Sequence, residues 1–245
     1  MTASLIDRLA EARRNRTEVS PEGAPTNPDD AYPISAAVNA KLGEKIGGWK
    51  VGALPGAGVP MGAPMYASGF LQSGGAFKLK PGRPMIPEVE IAVRLARDLP
   101  KREKAYTRDE MLDAAAELLL GFELIERRIP RKDAPFALNL ADDLGNIGYV
   151  LGPAVKDFRK LDLGNLHCRF WMGADLVVDR KGGERPGEPL APMINWANSP
   201  RDQLGGMKAG HVVTLGSLTP MKEVTAPMKL VAELEGFGRI SVDIE

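Results

Sequence analysis

Glycine and proline punctuate this chain too densely for a helical bundle. It holds 27 glycines and 20 prolines in 245 residues, and each would weaken the interior of a long helix. The share stays below that of low-complexity chains. With 44% hydrophobic and 26% charged residues, the sequence can bury a sizeable core built from many turns and short strands.

The first 46 residues are the exception and predict a helical N-terminal region. Ser4 and Asp7 mark a helix start, Leu5, Ile6 and Leu9 give it an apolar face, and Arg13, Arg14 and Arg16 close it. A loop carrying Pro21, Pro25 and Pro28 follows, and a second helix begins near Asp29–Asp30 with Ile34, Val38 and Leu42 on one stripe.

Residues 47–245 read as a second, β-rich region. Trp49-Lys50-Val51 is a short strand, and between 52 and 85 only Ala76–Lys80 looks extended. Gly56-Ala-Gly-Val-Pro-Met-Gly62 lacks the Lys-Ser/Thr ending of a phosphate loop. The clearest strand runs from Pro87 to Asp98, with Val89, Ile91, Val93 and Leu95 on one face and Glu88, Glu90, Ala92 and Arg94 on the other. Thr107 and Glu110 announce a helix whose stripe extends through Leu118 and Leu119, with Gly121 as its stop and a strand beyond it. Further strands fall at 148–151, 166–172, 175–178, 211–215, 230–234 and 240–244, and Met193, Ile194 and Trp196 mark a helix.

The charge balance narrows the function. With 32 basic and 32 acidic residues there is no footprint for nucleic acid or an anionic membrane surface. No apolar run is long enough for a membrane span, and the start Met1-Thr-Ala-Ser-Leu-Ile-Asp7 lacks a secretory pattern, so a cytoplasmic location is the expectation. One cysteine and two histidines leave any metal chemistry to oxygen ligands and a hard cation.

Glu88 and Glu90 are cofacial on their strand. Such a pair is ordinarily a solvated strand face. Glu123, set in the apolar Gly121-Phe-Glu-Leu-Ile125, shifts the reading, because an uncompensated buried carboxylate costs several kcal/mol. Three carboxylates from two segments make a reasonable site for Mg²⁺ or Mn²⁺.

These residues lie in a series that resembles a known family. The series runs through Asp30-Ala-Tyr32, Gly48-Trp-Lys-Val-Gly52, Pro87-Glu-Val-Glu-Ile-Ala92 and Phe122-Glu-Leu-Ile-Glu-Arg-Arg-Ile129. It continues through Ala141-Asp-Asp143, Val150-Leu-Gly-Pro153, Trp196-Ala-Asn198, Lys208-Ala-Gly210 and Leu215-Gly-Ser-Leu-Thr-Pro220. In this order and spacing the chain resembles the fumarylacetoacetate-hydrolase-fold hydratases and decarboxylases that act on 2-oxo-4-pentenoate and 2-oxo-3-hexenedioate. The resemblance implies an α+β fold, a mixed β-roll with a small helical N-terminal region. It implies a lyase that works on a small 2-oxo or 2-hydroxydienoate acid through a metal-stabilised enolate. Glu88, Glu90 and Glu123 would hold Mg²⁺ or Mn²⁺, and Lys50 would be the acid/base or enolate-stabilising group, its pKa depressed by the cation. A homo-oligomer, and association with a pathway partner enzyme, are also implied.

The chain departs from the hydratase pattern at one loop. Hydratases of the family carry Pro-Asp-Phe-Gly after the lysine, whereas Pro64-Met65-Tyr66-Ala67 offers no acid. Adding water to an alkene needs an acid or base close by, so Met65 favours decarboxylation over hydration. The alternatives are a C–C hydrolase of the same fold, which would want a His–Glu pair, and a non-catalytic partner subunit. Asp142 either hydrogen-bonds the lysine or a metal-bound water, or caps its loop. Ser217 and Thr219 either contact the substrate carboxylate or serve a turn. Arg127 and Arg128 either meet a distal carboxylate or end a surface strand. His167 and Cys168 point to opposite strand faces and form no dyad, and His211 is expected to be exposed.

Overall fold

The computed structural model describes residues 4–130, 134–183 and 187–245; the opening Met1-Thr-Ala3 of the N-terminal reading lies outside them. In chain order the elements are α1 (Leu5–Asn15), α2 (Ala31–Leu42), β1 (Ile46–Ala53), β2 (Pro60–Tyr66), β3 (Phe70–Gln72), β4 (Ala76–Phe77), β5 (Met85–Leu95) and α3 (Arg108–Ala114). Then come β6 (Ala115–Glu126), α4 (Phe136–Ala141), β7 (Asn146–Val155), β8 (His167–Met172), β9 (Asp175–Lys181), α5 (Ala191–Ala197), β10 (Val212–Ser217), β11 (Met228–Leu234) and β12 (Gly238–Ile244).

The strands form two sheets. One has seven strands in the order β2-β1-β10-β5-β6-β7-β3, and the other five in the order β4-β12-β11-β8-β9. The outer strands of the larger sheet, β2 and β3, are joined by only Ala67–Gly69. A flat sheet would set them about 29 Å apart, yet such a link spans at most about 14 Å. The sheet therefore curls until its edges approach each other, giving the mixed α+β roll.

Curling gives the sheet an inner and an outer face. The outer face carries Trp49, Val213, Val89, Ile91, Val93, Leu118, Leu120, Phe122 and Val150. These pack against Cys168, Phe170, Leu230, Ala232, Ile240 and Val242 of the smaller sheet in one continuous core. Phe122 and Phe170 meet with ring centroids 5.7 Å apart. The alternation along residues 87–95 thus separates the core of the molecule from its concave interior.

Both N-terminal helices form where the apolar stripes place them. Ser4 Oγ caps α1 by accepting from the Asp7 amide, and Gly43, at φ +68°, ends α2. The two share an apolar cluster with Ile129 and with Leu138 and Leu140 of α4, a helix that sequence reasoning missed. Among the described residues no helix is long and apolar enough to cross a membrane.

The expected helix beyond Thr107 is corrected. The capping box forms, but α3 stops at Ala114, and Ala115–Leu120 belongs to β6. Helix-forming side chains lose here to pairing with β5 on one side and β7 on the other. Gly121 is not a helix stop; it sits inside β6, where an added Cβ would lie 2.5 Å from Tyr149 Cε1. The stretch 52–85 also holds β2, which its Pro-, Gly- and Met-rich sequence did not suggest.

Candidate active site

Register brings the polar residues onto one face. Lys50 pairs with Thr214, Thr214 with Ala92, Glu90 with Gly121, Glu88 with Glu123 and Glu123 with Tyr149. All of these residues lie on the inner face. Carboxylate oxygens of Glu88, Glu90 and Glu123 lie within 4.8 Å of one another, and Glu90 and Glu123 are buried.

Lys50 crosses the curl to this cluster. Its Nζ lies 2.6 Å from Glu123 Oε1, and the Asn146 amide donates to the same oxygen at 2.9 Å. Glu123 is thereby oriented, with Oε1 engaged twice. Its Oε2 and the Oε2 of Glu90 find no hydrogen-bond partner among the described residues. Burial, then Glu123 and Glu88, push Glu90 well above the ordinary carboxylate range, while a hydrogen bond from Thr214 pulls the other way.

Burial would lower the Lys50 pKa, but Glu123, Glu88 and Glu90 outweigh it and the net direction is up. The carboxylates alone favour the ammonium form, so Lys50 holds a proton at Nζ.

The donor set fits a hard divalent cation. Three carboxylates gathered from two strands, two of them with an orphaned buried oxygen, are an arrangement that a positive charge would relieve. Glu88, Glu90 and Glu123 are the residues that would hold it.

Below the carboxylates the inner face turns apolar. Met65, Ala92, Leu119, Leu151 and Val212 form a buried cluster with Tyr149. Met65 is fully buried there and pairs with Gly48 across β1 and β2. A cavity of about 170 Å³ is lined by Arg13, Arg16, Tyr66 and Asn146, among others, and so borders the site at Asn146.

The other expected contacts resolve differently. Asp142 is not placed on Lys50: its Oδ1 accepts from Arg128 Nε at 3.0 Å, and its backbone carbonyl accepts from Arg128 at 3.3 Å. Arg128 is fully buried, so it does not end a surface strand; a buried guanidinium needs this carboxylate beside it. Ser217 pairs with Glu90 in register, and its Oγ donates to the Thr219 carbonyl at 2.8 Å, while Thr219 Oγ1 accepts from the Val89 amide at 3.2 Å. The Thr219 hydroxyl thus ties the turn after β10 to the glutamate strand, and the Ser217 hydroxyl braces that turn through Thr219. His167 pairs with Asp179 on β9, Cys168 is buried, and half-buried His211 accepts from the Lys208 amide.

Sequence reasoning missed Asn146, Thr214 and Tyr149 as site residues. Each is a polar group within an otherwise apolar strand, which is the signal that could have found them.

The chain is 27% identical over 97% of its length to 2-keto-4-pentenoate hydratase of Paraburkholderia phymatum, covering 95% of that protein. It is 27% identical to 2-hydroxyhexa-2,4-dienoate hydratase of Comamonas testosteroni, covering 96% of this chain and 94% of that one. Its structure superposes on 4-oxalocrotonate decarboxylase of Pseudomonas putida G7, solved with magnesium and adipate, with a TM-score of 0.84 at 19% identity over 98% of this chain and 96% of that one. The fold is that of the fumarylacetoacetate-hydrolase-fold enzymes. No protein-family model matches the chain.

Proposed function

We propose, from a fumarylacetoacetate-hydrolase fold and relatives named as dienoate hydratases, that this chain is a divalent-metal-dependent lyase for a small 2-oxo or 2-hydroxydienoate acid. The observation that carries the reading is the convergence of Glu88, Glu90 and Glu123, with two orphaned oxygens, beside the Lys50 ammonium on the inner face. A bound Mg²⁺ or Mn²⁺ would supply the positive charge that binds the 2-oxo acid and stabilises negative charge developing on it.

The chain's own residues divide the remaining work. Glu123 is oriented by Asn146 and Lys50, and Lys50 holds the proton that is given to the carbon chain. The floor side chains Met65, Ala92, Leu119, Leu151 and Val212 exclude water and offer neither acid nor base to an alkene, and the phenol of Tyr149 among them is held neutral and supplies no base. Decarboxylation is therefore favoured over hydration. In a substrate with a second carboxylate at the far end of the conjugated chain, the C–C bond to that carboxylate breaks and its electron pair passes along the chain into the 2-oxo group. CO₂ leaves, and a proton from Lys50 Nζ adds to the chain and is replaced from solvent.

A product analysis tests this. The protein is given a panel of 2-oxo dienoates with and without Mg²⁺, and CO₂ release is followed beside loss of dienoate absorbance. Metal-dependent CO₂ release is expected. Efficient hydration of 2-hydroxypenta-2,4-dienoate would overturn the preference for decarboxylation, and no metal-dependent turnover of any member would overturn the lyase assignment.

A further inference from the structure

The floor of the site holds one polar side chain with no task in the reading above. Tyr149 is fully buried among Met65, Leu119, Leu151 and Val212, yet its hydroxyl finds no hydrogen-bond partner among the described residues. Leaving a phenol oxygen dry and unpaired is destabilising, and phenylalanine would fill the same space without that penalty.

The surrounding backbone is shaped to keep the hydroxyl where it is. The ring lies across Gly121, where any Cβ would overlap the phenol. Gly121 is the register partner of Glu90, and Tyr149 is the register partner of Glu123. The hydroxyl is thus carried toward the two carboxylates whose Oε2 atoms are also unpartnered. Three orphaned oxygens share one part of the inner face, two of them acceptors and one a donor. Burial, Glu90 and Glu123 all keep the phenol in its neutral O–H form.

Resting on the 2-oxo acid reading above, we propose that the Tyr149 hydroxyl donates a hydrogen bond to an oxygen of the bound acid, and that Gly121 is there to let the ring reach it. Tyr149 is then the single polar contact in an apolar floor and fixes how the acid is seated. A ligand without an oxygen in that position gains nothing from it.

Tyr149→Phe in the full chain tests the proposal, with oxalate as the probe because it presents the two vicinal oxygens of a 2-oxo acid. Oxalate binding is measured by calorimetry in saturating Mg²⁺, Mg²⁺ binding is measured alone, and the metal-free proteins are melted. Oxalate affinity should fall about tenfold or more, as for a lost hydrogen bond to a charged group. Mg²⁺ affinity should stay within about twofold, and the metal-free variant should melt at or above the wild-type temperature. Equal oxalate affinity in the two proteins would sink the proposal and leave the 2-oxo acid reading intact. A lower melting temperature would assign the hydroxyl a structural role and overturn it too. If the wild type itself bound no oxalate with Mg²⁺, the 2-oxo acid reading would fail and take the proposal with it.

Discussion

Replacing Glu90 with glutamine should stabilise the metal-free protein while abolishing its response to Mg²⁺. Glu90 lies with Glu88 and Glu123 inside a 4.8 Å cluster, and Lys50, on Glu123, is the cation that the structure pairs with it. Two like charges at that separation repel by about 3.5 kcal/mol at an effective dielectric constant of about 20. Part of this is already relieved because Glu90 takes up a proton more readily when folded. Glutamine keeps the shape and can still accept from Thr214, so a net gain of about 1–3 kcal/mol is expected, or about 3–10 °C for a chain of this size. The sign with pH follows from linkage. Burial, Glu123 and Glu88 raise the folded pKa of Glu90 above 4.5, so the wild type loses stability as pH rises from there. The advantage of Glu90→Gln should therefore grow as pH rises above about 4.5 and vanish below it. The assay is thermal melting of both proteins in chelator and in millimolar Mg²⁺. Binding at a hundredfold excess over Kd adds about 2.7 kcal/mol to the wild type and nothing to the variant. A variant that melts lower than wild type in chelator, or that gains equally from Mg²⁺, would refute the reasoning.

Three further outcomes follow from contacts described above. Lys50→Met strips a buried Glu123 of its ammonium partner, so the metal-free protein should lose about 3–5 kcal/mol. Melting should show the loss in chelator and its partial recovery in Mg²⁺. Gly121→Ala forces a methyl group into the Tyr149 ring and should cost at least about 1–3 kcal/mol by denaturant titration; an unchanged midpoint would mean that the ring moves freely. In the α3 capping box, Arg102 and the Thr107 amide hold Glu110 down to about 2. Its contribution is present above about pH 4.5 and is lost as pH falls toward 2, so wild type and Glu110→Gln should converge in melting temperature over that window.

How much of this was legible in sequence depends on whether the signal was local. The caps at Ser4 and Thr107 and the alternation along 87–95 are short-range patterns, and the structure reproduces them. The stretch 115–120 is not of this kind. Ala-Ala-Glu-Leu-Leu-Leu favours helix, and only the strands on either side make it extended. Gly121 misled for the same reason, since the ring that excludes a side chain there lies 28 residues further along the chain. The carboxylate cluster was visible as Glu88, Glu90 and a Glu123 in apolar surroundings. The fixing of Glu123 by Asn146 was not, because it needs β6 and β7 side by side.

The surroundings of Asp142 show what the helical N-terminal residues contribute. Its Oδ1 accepts from Arg128, while Arg13 of α1 reaches Asp143 at 2.9 Å and the Asn146 carbonyl at 2.9 Å. Ser35 of α2 donates to Asp143 at 2.6 Å, and Tyr66 at the end of β2 donates to the same carboxylate at 3.0 Å. Asp143 and Leu144 sit at positive φ, which such residues adopt only where their surroundings impose it. The two helices and β2 supply those surroundings. Their contacts fix the segment just before β7, and β7 opens with the Asn146 amide that orients Glu123. A charged network that looks remote from the site is therefore one residue away from it: loosening Arg13 or Asp143 would release the backbone on which Asn146 depends, with no ligand residue touched.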